Sequence, residues 1–136
     1  MRYMLLIYTR EDARARRSQE EMLETMNGHL AMMQEARAKG VFEAGEPLEI
    51  TATAKTVRLE NNKHVTTDGP FAETKEQLAG YYILDVKDQD EAVRWAAKIP
   101  TCCGGLEGCV EVRALKPIPT MEKELQLAQS APARNG

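Results

Sequence analysis

Long apolar runs and an excess of basic residues are both missing from this sequence of 136 residues. The apolar stretch near the N-terminus, from Tyr3 to Tyr8, is too short for a signal peptide and far too short to cross a bilayer. The 18 lysines and arginines against 21 acidic residues leave a net charge of -3, which offers no positive surface to a nucleic-acid backbone. We therefore expect a cytoplasmic protein that has neither a membrane nor a nucleic acid as a partner.

Recognisable catalytic and metal-binding motifs are also scarce. The three cysteines, Cys102, Cys103 and Cys109, do not have the spacing of a zinc knuckle, and no histidine lies near them. Free thiols are therefore favoured over a zinc site and over a disulfide framework. The sequence has no nucleophile elbow, no dinucleotide fingerprint and no H-E-x-x-H helix, so we expect no metal and no cofactor. Acid–base chemistry on a small molecule is the reaction class that remains.

The pattern of apolar residues predicts one α+β domain. The order of elements places helices on one face of a mostly antiparallel sheet, as in an α+β sandwich. We assign the domain to residues 1–118 and a C-terminal extension, a short helix and a loose tail, to residues 119–136. The predicted strands cover residues 3–8, 41–48, 55–60, 64–67, 80–86 and 109–115, and the predicted helices cover residues 19–39, 88–98 and 121–129.

The pattern also predicts local features. The alternation in residues 55–60 points Val57 and Leu59 inward, and residues 9–17 are charged and typical of a loop. Gly40 fits the position just past the end of the first helix, Asp88 or Asp90 caps the second helix, and Trp95 is expected at its rim.

Two of the predicted strands, 3–8 and 80–86, are apolar on both sides. A strand of this kind needs cover on both faces of its sheet, and the predicted helices cover only one face. A second copy of the chain over the other face is the economical solution. We therefore expect a homodimer.

The first long helix has a clear start and an apolar stripe that is rich in methionine. Ser18 stands three residues before a glutamate, which is the spacing of a capping box. Met22, Met26, His29 and Met33 follow at steps of three or four and therefore share one face. Such methionines can form an adaptable binding surface, but at helical spacing they are more often core filler. We predict that this face packs in the core.

One polar stretch after a predicted hairpin stands out, Asp68-Gly69-Pro70-Phe71-Ala72-Glu73-Thr74-Lys75-Glu76. Gly69 permits backbone angles that other residues resist and Pro70 fixes its own φ, so a stiff corner is predicted. Taken locally, Asp68 is a residue that caps its own turn. The stretch resembles the signature of the YCII-related proteins, specifically their DGPFAETKE branch, and the resemblance extends over residues 1–118.

This resemblance implies a fold, an assembly and a pair of catalytic residues. The fold is a ferredoxin-like sandwich with two helices on one face of the sheet, and two such chains pair as a dimeric α/β barrel. The family pairs a helix histidine with the signature aspartate as a catalytic dyad, which in this sequence corresponds to His29 and Asp68. Taken without the resemblance, His29 is favoured as a buried histidine that donates to a backbone carbonyl. The only other histidine, His64, is expected at the surface.

The other signature residues are candidates for substrate binding. Lys75 can bind an anionic group of a substrate, although Glu73 and Lys75 also suit a solvated ion pair. Phe71 can wall a pocket, although a single phenylalanine after a turn usually anchors the turn to the core. The candidate substrate-binding residues are therefore Gly69, Pro70, Phe71, Glu73 and Lys75.

Two functions from different classes fit these observations. The first is a small acid–base enzyme, of isomerase or lyase type, in which His29 is the base or acid and Asp68 orients it. The second is a non-catalytic dimer that binds a small molecule or has a regulatory role. The resemblance permits the second as well, since such domains look like neighbours or appendages of sigma-factor regulators.

Overall fold

A computed structural model of the chain describes residues 1–101 and 108–130. The described part contains six strands, four helices and one turn of 3-10 helix. In chain order the elements are β1 Arg2–Thr9, α1 Glu11–Arg16, α2 Gln19–Ala38, β2 Phe42–Pro47, the 3-10 turn Thr51–Thr53, β3 Lys55–Glu60, β4 Lys63–Asp68, β5 Gln77–Asp85, α3 Gln89–Ala96, β6 Gly108–Ala114 and α4 Ile118–Ser130.

Four strands form one antiparallel sheet in the order β2-β5-β1-β6. The connection from β1 to β2 carries α2, and the connection from β5 to β6 carries α3. This order of strands and helices is that of a ferredoxin-like sandwich, so the predicted α+β class is confirmed. In the described chain the sheet is open, and the dimeric barrel stays a prediction.

The core lies between this sheet and the two helices α2 and α3. Alternate residues of β1 and β5 point toward the helices, and Leu5 and Leu84 are completely buried there. They belong to the same apolar cluster as Met32 and Ala36 of α2 and Trp95 of α3. Because α2 and α3 contribute to one cluster, both helices cover the same face of the sheet.

The opposite face of the sheet is only partly covered within one chain. Met4 and Leu6 of β1 and Tyr81 and Ile83 of β5 lie there as cross-strand neighbours, and all four remain partly exposed. The sequence predicted apolar residues on this face, and it predicted a second subunit as the cover. The residues are where the pattern placed them, and the second subunit stays a prediction.

A separate two-stranded sheet is formed by the hairpin of β3 and β4. The turn residues Asn61 and Asn62 have φ values of 50° and 64°, as a tight two-residue hairpin turn requires. The sequence predicted that Val57 and Leu59 would point inward, and this was wrong. Their side chains are 60% and 64% exposed, because β3 pairs with β4 and not with the main sheet.

The helix boundaries follow the predicted capping signals. The Ser18 hydroxyl accepts the backbone N–H of Glu21 at 3.1 Å at the start of α2. The Asp88 carboxylate accepts the backbone N–H of Glu91 at 2.9 Å at the start of α3. Gly40 follows the end of α2 with a φ of 71°, a conformation that glycine adopts without strain.

Two local expectations were wrong. The segment between β1 and α2, read as a charged loop, contains the short helix α1, whose first turn is acidic and whose last turn is basic, as the helix dipole favours. Trp95, which was expected at the rim, is only 4% exposed because it faces the sheet beside Ala92. None of the helices in residues 1–101 and 108–130 is long and apolar enough to cross a membrane.

The core position of Leu84 predicts a large loss of stability on truncation. Leu84→Ala removes a fully buried side chain and leaves a cavity, so the free energy of unfolding should fall by about 2–5 kcal/mol. Leu127→Ala is the matched control, because its side chain on α4 is 64% exposed and its truncation should change stability by less than about 0.5 kcal/mol. Urea unfolding followed by the fluorescence of Trp95, the single tryptophan, measures both variants. Equal losses would contradict this placement of the core.

Candidate functional site

A cavity of about 360 Å³ lies between α2 and the helix-facing side of the sheet. This volume is at the lower end of the range for small-molecule sites, about 300–1,000 Å³. The polar or charged residues in its wall are Thr9, Arg14, Arg17, Thr25, His29 and Tyr82, together with Glu46 and Tyr81, which as cross-strand partners belong to the opposite face of the sheet. The wall is otherwise mainly apolar, with Ile7, Met26, Leu30, Met33, Ala79 and Pro100.

His29 of α2 and Tyr82 of β5 meet in this wall. The Nδ1 atom of His29 lies 2.8 Å from the hydroxyl oxygen of Tyr82, and their ring centroids are 5.9 Å apart. The backbone carbonyl of Pro100 also acts on the imidazole and raises its pKa. In the tautomer that carries its proton on Nε2, Nδ1 accepts the hydroxyl proton of Tyr82.

The surroundings of this pair favour the neutral form of both groups. Burial lowers the pKa of His29 below its ordinary value of 6.5, and the positive charge of Arg17 lowers it further, against the opposing effect of the Pro100 carbonyl. Burial also raises the pKa of Tyr82 above its ordinary value of 10.0. At neutral pH the site therefore holds a neutral imidazole beside a protonated phenol.

A glycine in the neighbouring strand makes room for the Tyr82 ring. Gly45 of β2 pairs directly with Tyr82, and a Cβ at that position would lie 2.3 Å from a ring carbon. Phe42, also in β2, packs edge-on against the ring at a centroid distance of 6.3 Å. Gly45 thus permits the close approach that directs the hydroxyl toward α2.

The methionine stripe of α2 is divided between the core and the cavity. The core contact of α2 is made by Met32 and Ala36, and Met33 is only partly buried. Met26 and Leu30 are about half exposed and line the cavity together with Met33. The prediction that the whole stripe packs in the core was therefore wrong, and the alternative of a binding surface is favoured for this part of the helix.

The predicted contact between His29 and Asp68 is not formed within the chain. Asp68 is the last residue of β4, and its carboxylate lies 2.6 Å from the ammonium group of Lys55, its cross-strand neighbour. The carboxyl side chain is 86% exposed. The physical reason is the separate β3–β4 sheet, which carries Asp68 away from α2, while Tyr82 occupies the Nδ1 position of His29.

The rest of the signature lies outside the cavity wall. Gly69 has a φ of 98°, and its backbone N–H donates to the carbonyl of Ala54 at 2.7 Å, so the predicted stiff corner is present. The Thr56 hydroxyl also donates to the carbonyl of Gly69, at 2.9 Å. Pro70 is half-buried, and the candidate binding residues Phe71, Glu73 and Lys75 are exposed.

The remaining titratable candidates do not form a second site. His64 is exposed on β4, as expected. Cys109 is exposed on β6, with its thiol 3.6 Å from the carboxylate of Glu76, while Cys102 and Cys103 lie outside the described residues. In residues 1–101 and 108–130, no group of three or more histidine, cysteine and acidic side chains is arranged to hold a metal ion.

Several cavity residues were missed from the sequence, namely Thr9, Arg14, Arg17, Glu46 and Tyr82. A signal for Tyr82 was available. The alternation in β5 places it on the same face as Leu84, and a buried tyrosine hydroxyl needs a polar partner. His29, on the helix that covers this face, was the obvious partner to consider. The arginines belong to a segment that was read as a loop, so no pattern pointed to them.

Comparisons with known proteins agree with this fold. The family model described as the YCII-related domain matches residues 1–119. An uncharacterised protein of Rhizobium meliloti (strain 1021) is 34% identical over 115 residues, which covers 85% of this chain and 92% of the relative. The family model spans both residues of the His29–Tyr82 pair and the whole signature. The chain therefore belongs to the YCII-related family.

Proposed function

We propose that this protein is a small acid–base enzyme, of isomerase or lyase type, that acts on a small molecule in the cavity beside α2. The observation that carries the proposal is the 2.8 Å hydrogen bond between His29 and Tyr82 in the cavity wall. A neutral imidazole that accepts a hydrogen bond from the phenol can act as a general base in this largely apolar site. This is the arrangement that proton abstraction next to a carbonyl group requires.

The proposed step is a proton relay through the phenol. The oxygen of Tyr82 takes a proton from a carbon atom of the substrate, while the original hydroxyl proton moves to Nδ1 of His29. The electron pair of the broken C–H bond is delocalised into the adjacent carbonyl as an enolate, and His29 becomes an imidazolium. Return of the proton to a different carbon gives isomerisation, and loss of a leaving group gives elimination. The Pro100 carbonyl keeps the imidazole oriented throughout.

The lowered pKa of His29 predicts a specific dependence on pH. NMR titration of the His64→Gln variant, in which His29 is the single histidine, should give a midpoint below 6.5, because burial disfavours the imidazolium. Between the folded and unfolded pKa values the unfolded chain binds more protons, so stability rises with pH there. The contribution of His29 to stability is therefore complete above about pH 6.5 and is lost as the pH falls through the folded pKa. A midpoint at or above 6.5 would contradict burial as the dominant influence.

The relay predicts exchange of carbon-bound protons with solvent. In D₂O, the wild-type protein should catalyse deuterium incorporation next to the carbonyl in at least one member of a panel of small oxo acids, ketones and 1,3-dicarbonyl compounds, as followed by ¹H NMR. His29→Gln and Tyr82→Phe should each slow this exchange by about 10²-fold or more, the usual contribution of a positioned acid or base. His64→Gln is the matched control and should exchange at the wild-type rate. Undiminished exchange by His29→Gln would contradict the proposal.

A non-catalytic dimer that binds a small molecule, or that has a regulatory role beside a sigma factor, is the second candidate. It is favoured by one observation, that Tyr82 and Pro100 together engage the imidazole of His29 within the chain. A ring satisfied in this way is also typical of a histidine that only holds a helix in place. Ligand binding by the wild type without any exchange in the panel would support this candidate over the enzyme.

We also propose that a second subunit supplies Asp68 to the site. In its own chain the carboxylate is on a hairpin whose Val57 and Leu59 side chains are exposed, which suits a segment that reaches another copy. Beside the cavity mouth of a partner, the carboxylate would stabilise the imidazolium that the relay creates. This restores the predicted pairing of Asp68 with His29, between two chains of a homodimer.

Mixing two inactive variants tests this arrangement. We expect His29→Gln and Asp68→Asn each to lower the exchange rate, and a refolded mixture to recover activity, because one site of each mixed dimer has His29 from one chain and Asp68 from the other. A mixture of His29→Gln with Tyr82→Phe is the control and should stay inactive, since those two residues belong to the same site of the same chain. Failure of the first mixture to recover, or sedimentation as a monomer, would remove Asp68 from the mechanism.

A further inference from the structure

The hydroxyl group of Thr9 is an unexplained polar group in the cavity wall. Thr9 is the last residue of β1, lies on the same side of the strand as Ile7 and is 4% exposed. Within the described part of the chain its Oγ1 atom has no hydrogen-bond partner. A buried hydroxyl without a partner is unfavourable, and proteins rarely keep one. Because Thr9 lines the cavity, a molecule bound there can supply the missing partner.

Two arginine side chains line the same cavity. Their neighbours Arg10 and Arg16 form ion pairs with Asp12, at 2.6 Å and 3.9 Å. In contrast, Arg14 and Arg17 have no carboxylate partner in residues 1–101 and 108–130. Both are partly buried at the cavity, where a guanidinium group suits a carboxylate in a two-point geometry.

The charge that faces the cavity is positive. Arg14 and Arg17 contribute two guanidinium groups, whereas Glu46 is exposed and pairs with Tyr81 on the other face of the sheet. A carboxylate offers two oxygen atoms to two guanidinium groups, which suits a carboxylate bound between them. The apolar part of the wall, with Met26 and Leu30 at the half-exposed helix surface, suits a hydrocarbon body.

We propose that the cavity binds a small apolar carboxylic acid as its anion. The carboxylate lies between Arg14 and Arg17 and accepts a hydrogen bond from the Thr9 hydroxyl. The hydrocarbon part lies against the methionine-rich face of α2. This inference rests on the proposed function in one respect, since it names the substrate class of the same cavity. It places the reacting carbon of an oxo acid next to the His29–Tyr82 pair, while the carboxylate end provides the binding energy that holds it there.

Binding of matched acids and amides tests the inference without any need for turnover. The probes are hexanoate with hexanamide and 3-phenylpropanoate with 3-phenylpropanamide, titrated into the ¹⁵N-labelled wild-type protein. Each acid should bind at least about ten-fold more tightly than its amide, because charge-assisted hydrogen bonds are lost in the amide. The backbone signals of Thr9 and Arg17 should shift on binding. Equal Kd values within both pairs would overturn the inference.

Substitutions in the cavity wall distinguish a role in ligand recognition from a role in folding. Arg14→Gln and Arg17→Gln should each weaken the acids about ten-fold and leave the amides unchanged, while Arg94→Gln, on α3, is the matched control and should change neither. Thr9→Val should weaken the acids while its urea midpoint stays equal to or above that of the wild type, because it removes a buried hydroxyl without a partner. Unchanged acid affinity in all three cavity variants would contradict the inference.

The same experiments distinguish this inference from the proposed function. Acids that bind as described but are never exchanged in D₂O would contradict the enzyme and leave the carboxylate site intact. Exchange of a neutral ketone by a protein that binds neither acid would contradict the carboxylate site and leave the acid–base pair intact.

Discussion

The hydrogen bond between His29 and Tyr82 is the contact on which the site depends. It joins α2 to β5 across a space that side chains do not fill, and it satisfies two polar groups that would otherwise be buried without partners. The contact requires Gly45, since any side chain there would displace the Tyr82 ring. The Pro100 carbonyl also acts on the imidazole and raises its pKa against the effect of burial. A substitution at Gly45 would therefore displace the pair without changing either of its residues.

The cavity follows from the way in which α2 is seated on the sheet. The C-terminal half of the helix is held by Met32 and Ala36, which are buried against the core strands. The N-terminal half contacts the loop before Thr101 at Gly28, where a Cβ would lie 2.9 Å from a Pro100 ring carbon. On the side of the helix that faces the cavity, His29 reaches Tyr82 of the sheet, while Met26 and Leu30 stay about half exposed. The unfilled space is thus a property of the packing and exists without any ligand.

Local patterns were sufficient to predict the six strands and the helices α2, α3 and α4, but not α1, because periodicity and capping act over a few residues. The helix that begins after Ser18 and the hairpin turn at Asn61 both lie where their residues placed them. The partner of His29 could not be found in this way, since Tyr82 is 53 residues distant and its position depends on the pairing of β2 with β5. The contiguous signature directed attention to Asp68 instead, which the chain places on a separate sheet.

The composition of the signature still needs a physical cause. Gly69 is explained by its positive φ and Asp68 by its ion pair with Lys55, both within the chain. Phe71 is not, because its side chain is 78% exposed and packs into no core. A single exposed aromatic ring is common on a folded chain, and covering it with another surface would add favourable apolar burial. The partly covered back face of the sheet, around Leu6 and Ile83, has the same property. The predicted second subunit would cover both features, whereas the residues that line the cavity all belong to one chain.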